Sequence, residues 1–239
     1  MKSALLLAGA MLVLTSSLAF AAGSINIGWD DCAGPGPGAT NRTMSCTSNA
    51  GVLHLAGSFA PPADLPQFIG HTGVVDIEGP NATLSPWWRV DPAGTCRAGA
   101  LTCTFDFTSG PFFCMDPWEA IAVGGTDVAL IAADRLRVRT ACMLPRVFPL
   151  AADGHEYYLF RLRLNMRGAF AGICPGCTVA ACIVFNELVL TQLGGVGEYT
   201  ITTGPEQYAT WQGGAVAGGC PAATPVRGGT WGTLKALYR

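Results

Sequence analysis

Cys174-Pro175-Gly176-Cys177 places two thiols at the spacing of a dithiol redox pair or of half a zinc knuckle, and Cys182 follows closely. A redox pair needs a thiolate whose pKa is depressed at a helix N-terminus, usually after a strand in a βαβ setting. Here Thr178-Val179-Ala180-Ala181-Cys182-Ile183-Val184-Phe185 leads into a β-branched run, the signature of a strand. A zinc site needs four ligands, usually two spaced pairs, and only Cys220 or His155 is at hand to complete one. The third possibility is a cross-linked loop with Pro175-Gly176 at its turn, and the rest of the chain favours it.

Other chemistry is sparse. The histidines are His54, His71 and His155, and His155-Glu156 lacks the second histidine of an H-E-x-x-H motif. There is no G-x-S-x-G and no phosphate-binding loop. The closest acids are Asp30 with Asp31, Asp76 with Glu78, and Asp116 with Glu119. None has the looped spacing of a calcium motif, and they read as solvated strand edges and turn caps. A polysaccharide hydrolase would need two of them facing each other across about 5–10 Å. No metal site and no cofactor is expected.

Two binding surfaces are candidates. Arg135, Arg137 and Arg139 share one face of a strand, and Arg161 and Arg163 share a face of another. Antiparallel pairing of the two would gather these guanidinium groups for an acidic polymer, an acidic protein or another acidic envelope component. Alternatively they form a solvated face whose stems cover apolar atoms. Trp87 and Trp118, with Trp88 and Trp211, could make a polysaccharide platform or anchor the core, and tryptophan is buried more often than not.

The chain that must position these groups begins with an export signal. Lys2, the apolar run from Ala4 to Leu14 and the small-residue pattern Ala19-Phe20-Ala21 form a signal peptide over 1–21. No later stretch is long and apolar enough to span a membrane. Composition agrees: 31 Gly, 16 Pro and 13% charged residues describe a turn-rich compact protein, and a formal charge of −2 offers nucleic acid no attraction. The expected location is periplasmic, cell-surface or extracellular.

All ten cysteines lie after the signal: Cys32, Cys46, Cys96, Cys103, Cys114, Cys142, Cys174, Cys177, Cys182 and Cys220. An even number in an exported chain is a disulfide framework, although ten cysteines admit on the order of a thousand pairings. Sequence neighbours suggest Cys32–Cys46, Cys96–Cys114 and Cys103–Cys142, leaving the rest to pair among themselves.

Period-two alternation dominates, as in Asp134-Arg135-Leu136-Arg137-Val138-Arg139-Thr140. It predicts strands over 25–29, 51–59, 73–78, 102–107, 127–132, 134–140, 157–166, 183–191, 198–202 and 207–211. Gly/Pro punctuation separates them. The expected fold is all-β, a disulfide-stapled antiparallel sandwich of Ig/cohesin-like or jelly-roll-like type. It occupies 22–212. A Gly-rich segment and tail, 213–239, follow, with a short helix from Trp231 that Thr230 would cap.

The phrases IGWDDC, SPWW, GPFFCMDPW, CIVFNELVLTQ, TWQGG, GGCPAATP and terminal TWGTLKALYR resemble a group of exported bacterial proteins to which no activity is attached. The order DRLRVR, HEYYLFRLRLN, CIVFNELVLT, within 50–203, is similar to cohesin-like sandwiches. That resemblance implies a fold and no function. The expected role is a non-catalytic cell-surface, adhesive or structural binding module. The alternatives are a self-assembling envelope or filament subunit, by strand addition at an open sheet edge, and a secreted carboxylate-dependent hydrolase.

Overall fold

The computed structural model describes residues 23–93, 96–109, 112–170, 172–214 and Cys220. The signal over 1–21 and the predicted C-terminal helix lie outside the described residues. The strands are β1 (Ser24–Trp29), β2 (Asn41–Arg42), β3 (Val52–Ala60), β4 (Phe68–Glu78), β5 (Leu101–Thr104), β6 (Val123–Ala132), β7 (Arg135–Met143), β8 (Tyr157–Asn165), β9 (Ala181–Gln192), β10 (Glu198–Ile201) and β11 (Tyr208–Trp211). The only helical element among the described residues is a 3-10 turn, Pro86–Trp88.

Two sheets result. The smaller has the order β1-β3-β8-β5; the larger runs β2-β11-β9-β4-β7-β6, with β10 also on β9. All pairings are antiparallel except the short β2–β11 contact. The expected all-β, disulfide-stapled fold is therefore what the chain forms. One expectation about it fails: β7 pairs with β4 and β6, whereas β8 pairs with β3 and β5 in the other sheet. The arginine strands are neighbours in sequence but not in space.

Alternation explains the register. In β7, Leu136, Val138, Thr140 and Cys142 are buried, and the residues between them are more exposed. Side chains of opposite parity point to opposite faces, so a one-residue slip would turn the arginines inward. The sheets meet through Phe160 of β8 against Phe185 of β9, ring centroids 5.4 Å apart. Gly57 of β3 faces Phe160, and any side chain there would enter the space of its ring.

Tryptophans fill one end of the core. Trp211 packs with Trp29 at 5.8 Å, with Trp87 at 6.2 Å and with Trp88 at 5.8 Å. Elsewhere Trp118, Phe105 and Phe160 surround the buried His71, with Trp118 nearest at 5.2 Å. Burial pushes the His71 imidazole down to about 3. The folded pKa lies below the unfolded value, so the contribution is present above about pH 6.5 and is lost as pH falls toward 3. Replacing His71 by Phe is expected to flatten the acid limb of the stability curve between pH 6 and 4, as measured by urea midpoints across that range. An acid limb as steep as that of the parent protein would show that His71 does not titrate there.

Candidate functional site

The disulfides are Cys32–Cys114, Cys46–Cys177, Cys96–Cys174 and Cys182–Cys220. None of the pairs suggested by sequence proximity forms. Folding into two sheets brings distant loops together, so separations reach 131 residues at Cys46–Cys177. Cys174, Cys177 and Cys182 each join a different partner, which ends the redox and zinc readings of that stretch and leaves the staple. Cys103 and Cys142, expected to pair, are thiols; burial, the main cause, pushes both up to about 12. They are almost wholly protonated near neutral pH, and the thiolate is the reactive form.

The carboxylates have structural partners. Asp30 pairs with Arg42 and Glu119 with Arg146. Asp31 accepts from the Cys32 amide at 2.8 Å and from the Tyr158 hydroxyl. Asp116 accepts from the Trp118 amide at 2.8 Å. Glu156 is buried and accepts from Asn26 Nδ2 at 2.7 Å and Ser58 Oγ at 2.5 Å. It lies beside Cys32 and Cys114, but those sulfurs are bonded to each other and are not thiolate ligands. An open hollow of about 230 Å³ is lined by Cys103, Thr104, Phe105, Asp106, Ala120, Ala122 and Gly124. Its one carboxylate, Asp106, is engaged by the amide and hydroxyl of Thr108 at 2.9 and 2.6 Å. That lining lacks the second acid of a hydrolase.

The candidate arginines divide. Arg137 donates through Nε and Nη2 to the two oxygens of Asp76, each at 2.7 Å. Arg135 pairs with Glu78 at 2.5 Å and Arg139 with Asp127 at 3.3 Å. Each acid sits directly opposite its arginine in the ladder. These are cross-strand neutral pairs, and the joint basic face, one of the two alternatives the sequence offered, does not form. Asp76 is also not a solvated edge residue: it is fully buried. Arg161 and Arg163 stand apart on β8 of the smaller sheet.

Trp87 and Trp118 are both 0% exposed, so neither offers a platform to a sugar. Trp118 Nε1 donates to the Tyr158 carbonyl at 2.9 Å, and the Arg97 guanidinium lies 3.4 Å from the Trp87 ring centre. They are core anchors, as buried aromatics with a polar handle commonly are.

What the larger sheet leaves open is β6. Among the described strands it pairs with β7 alone. Among the described residues no other backbone bonds to it, whereas the β1 edge is capped by Thr203, Glu206 and Ala39. β5 has four residues and β2 two, but β6 has ten. Its register sets Gly124, Thr126, Val128 and Leu130 opposite buried residues of β7, so these face inward. Val123, Asp127 and Ala129 line the other face, and Ile131 sits at the irregularity between Leu130 and Ala132. Val123 is 77% exposed, Ile131 40% and Leu130 36%, and Met143, opposite Val123, is 56% exposed. The strand's single charge, Asp127, is paired with Arg139. It contains no lysine or proline, the residues that usually blunt an edge, and its one irregularity falls between Leu130 and Ala132.

Fold and surface together define a disulfide-stapled, all-β protein with a long apolar edge that no described strand covers. No protein-family model and no curated protein matches the chain.

Proposed function

We propose that the chain is an exported, non-catalytic structural binding module of the cell surface, and that its working element is the β6 edge, which adds strand to strand with copies of itself. Four disulfides and the N-terminal export signal support a place outside the cytoplasm. The observation that carries the reading is a ten-residue, mostly apolar strand, eight of its residues exposed, with half its backbone groups unpaired among the described residues at the end of a sheet. A partner strand would satisfy those groups and cover Val128 and Leu130 on one face and Val123 on the other.

Self-pairing is electrostatically consistent. In an antiparallel pair centred on Val128, Asp127 meets Ala129 of the second copy and Thr126 meets Leu130, so no like charges oppose each other. The test is sedimentation velocity of the oxidised mature protein over a wide concentration range. Mass should rise with concentration, and a Val123→Lys/Ile131→Lys variant should stay monomeric with unchanged circular dichroism. A parent protein that is monomeric throughout, or a variant that assembles equally well, rules the reading out.

A further inference from the structure

We infer that the outer face of the smaller sheet carries an oxyanion site, built from His54, Arg161 and Arg163, for a carboxylate or sulfate group. It lies on a different sheet from β6 and does not depend on strand addition. The register constructs it. His54 of β3 is directly opposite Arg163 of β8, which is opposite Thr102 of β5. Ala56, Arg161 and Thr104 form the adjacent row. Residues two apart in a strand share a face, so His54, Arg161, Arg163, Thr102 and Thr104 make one patch, with Ala56 buried on the same face and the rows about 7 Å apart.

The patch carries positive charge without a matching acid. Among the described residues neither Arg161 nor Arg163 has a carboxylate within ion-pair distance, in contrast to Arg135, Arg137 and Arg139. The two nearby acids are engaged elsewhere: Asp30 by Arg42, and Asp106 by Thr108. Arg161 is also fixed in place. Its Nη2 donates to the Asp106 carbonyl at 3.1 Å, and its guanidinium lies 4.8 Å from the Phe112 ring centre and 5.6 Å from that of Phe107. Its Nε and the Nδ1 of His54 are buried polar atoms with no partner among the described residues. Those two atoms are out of solvent, so the oxyanion would be met by the exposed guanidinium of Arg163 and by the terminal nitrogens of the half-buried Arg161, which ring contacts hold in place.

His54 provides the reporter. Burial chiefly, then Arg161 and Arg163, hold its imidazole below the ordinary histidine range, while Asp30 acts in the opposite direction. An oxyanion seated between the arginines would reverse their effect and raise the His54 pKa by about one unit. The other histidines serve as controls: His71 is buried in the core, and His155 is exposed and paired with Asp153.

The experiment is an NMR titration of the histidine ring protons in the oxidised mature protein. It is run in sodium chloride, in sodium sulfate at matched ionic strength, and with a soluble polyuronate. The expected result is a rise of about one unit at His54 with sulfate or polyuronate beyond that in chloride, none at His155, and loss of the rise in Arg163→Gln. A response to polyuronate and not to free sulfate identifies a carboxylate polymer as the source; the converse identifies sulfate. Arg163 is exposed, so its replacement should leave the fold intact. Equal shifts in all three salts reduce the effect to charge screening and overturn the inference. A shift that survives in Arg163→Gln also overturns it.

Discussion

Replacing Asp76 by alanine is expected to lower stability by about 3–5 kcal/mol, far more than the loss of any exposed ion pair in the molecule. The Asp76 side chain is fully buried and that of Arg137 is 16% exposed, so removing the acid leaves a largely desolvated guanidinium unpaired. Both carboxylate oxygens are used, which fixes the geometry as well as the charge. The Asp76 hydrogen bond chiefly holds the Arg137 pKa above its ordinary value, and Glu187 adds to the effect. Glu187 should therefore recover part of the loss. Restoring neutrality by a second change, Arg137→Met, should regain most of it, because a buried pair can be replaced by apolar groups at little cost. Urea unfolding of both single variants and the double variant measures the coupling. A single-variant loss of about 1 kcal/mol or less would place this pair among ordinary surface pairs.

The second large effect should come from the Cys46–Cys177 disulfide. It closes the longest loop in the structure, 131 residues, and replacing both cysteines by serine is expected to cost about 3–5 kcal/mol. Removal of Cys182–Cys220, which spans 38 residues, should cost nearly as much on loop entropy, because the Cys96–Cys174 bridge already shortens the path between Cys46 and Cys177. The long staple also organises its surroundings. The Cys177 carbonyl accepts from Trp211 Nε1 at 2.6 Å and from Gln212 Nε2 at 3.3 Å, and Gln212 Nε2 also donates to the Met44 carbonyl at 2.8 Å. Its loss should therefore loosen β11 first, seen as early exchange of amides 208–211. If amides 208–211 exchange no earlier in the Cys46–Cys177 double variant than in the parent protein, the long staple does not organise β11.

The strands were readable because the alternation in this chain is strong. Arg135 through Thr140 and Tyr158 through Leu164 gave β7 and β8 nearly complete, and the run from Ile183 gave β9. What alternation cannot encode is which strands meet. β7 and β8 follow each other in sequence, yet the chain crosses to the other sheet between them, and the expected arginine face divided. The cysteine pairs failed for the same reason, since sequence proximity says little about loops at opposite ends of a sandwich. The predicted strand over 127–132 missed the start of β6, where Gly124-Gly125 carries no alternation. There Gly124 instead allows Phe105 to pack closely on the strand. Asp76 looked like a solvated edge residue because its arginine partner was assigned to another role. His54 carried no signal of its own; only its place opposite Arg163 gives it meaning.

Strand addition at β6 is tested most directly by amide hydrogen exchange of residues 123–132 as a function of protein concentration. The account predicts that every second amide of this segment, those pointing away from β7, exchanges fast in dilute protein. These amides should slow by tenfold or more at high concentration, while amides of the covered β1 edge do not change. Exchange at β6 that is equally fast at every concentration would contradict it.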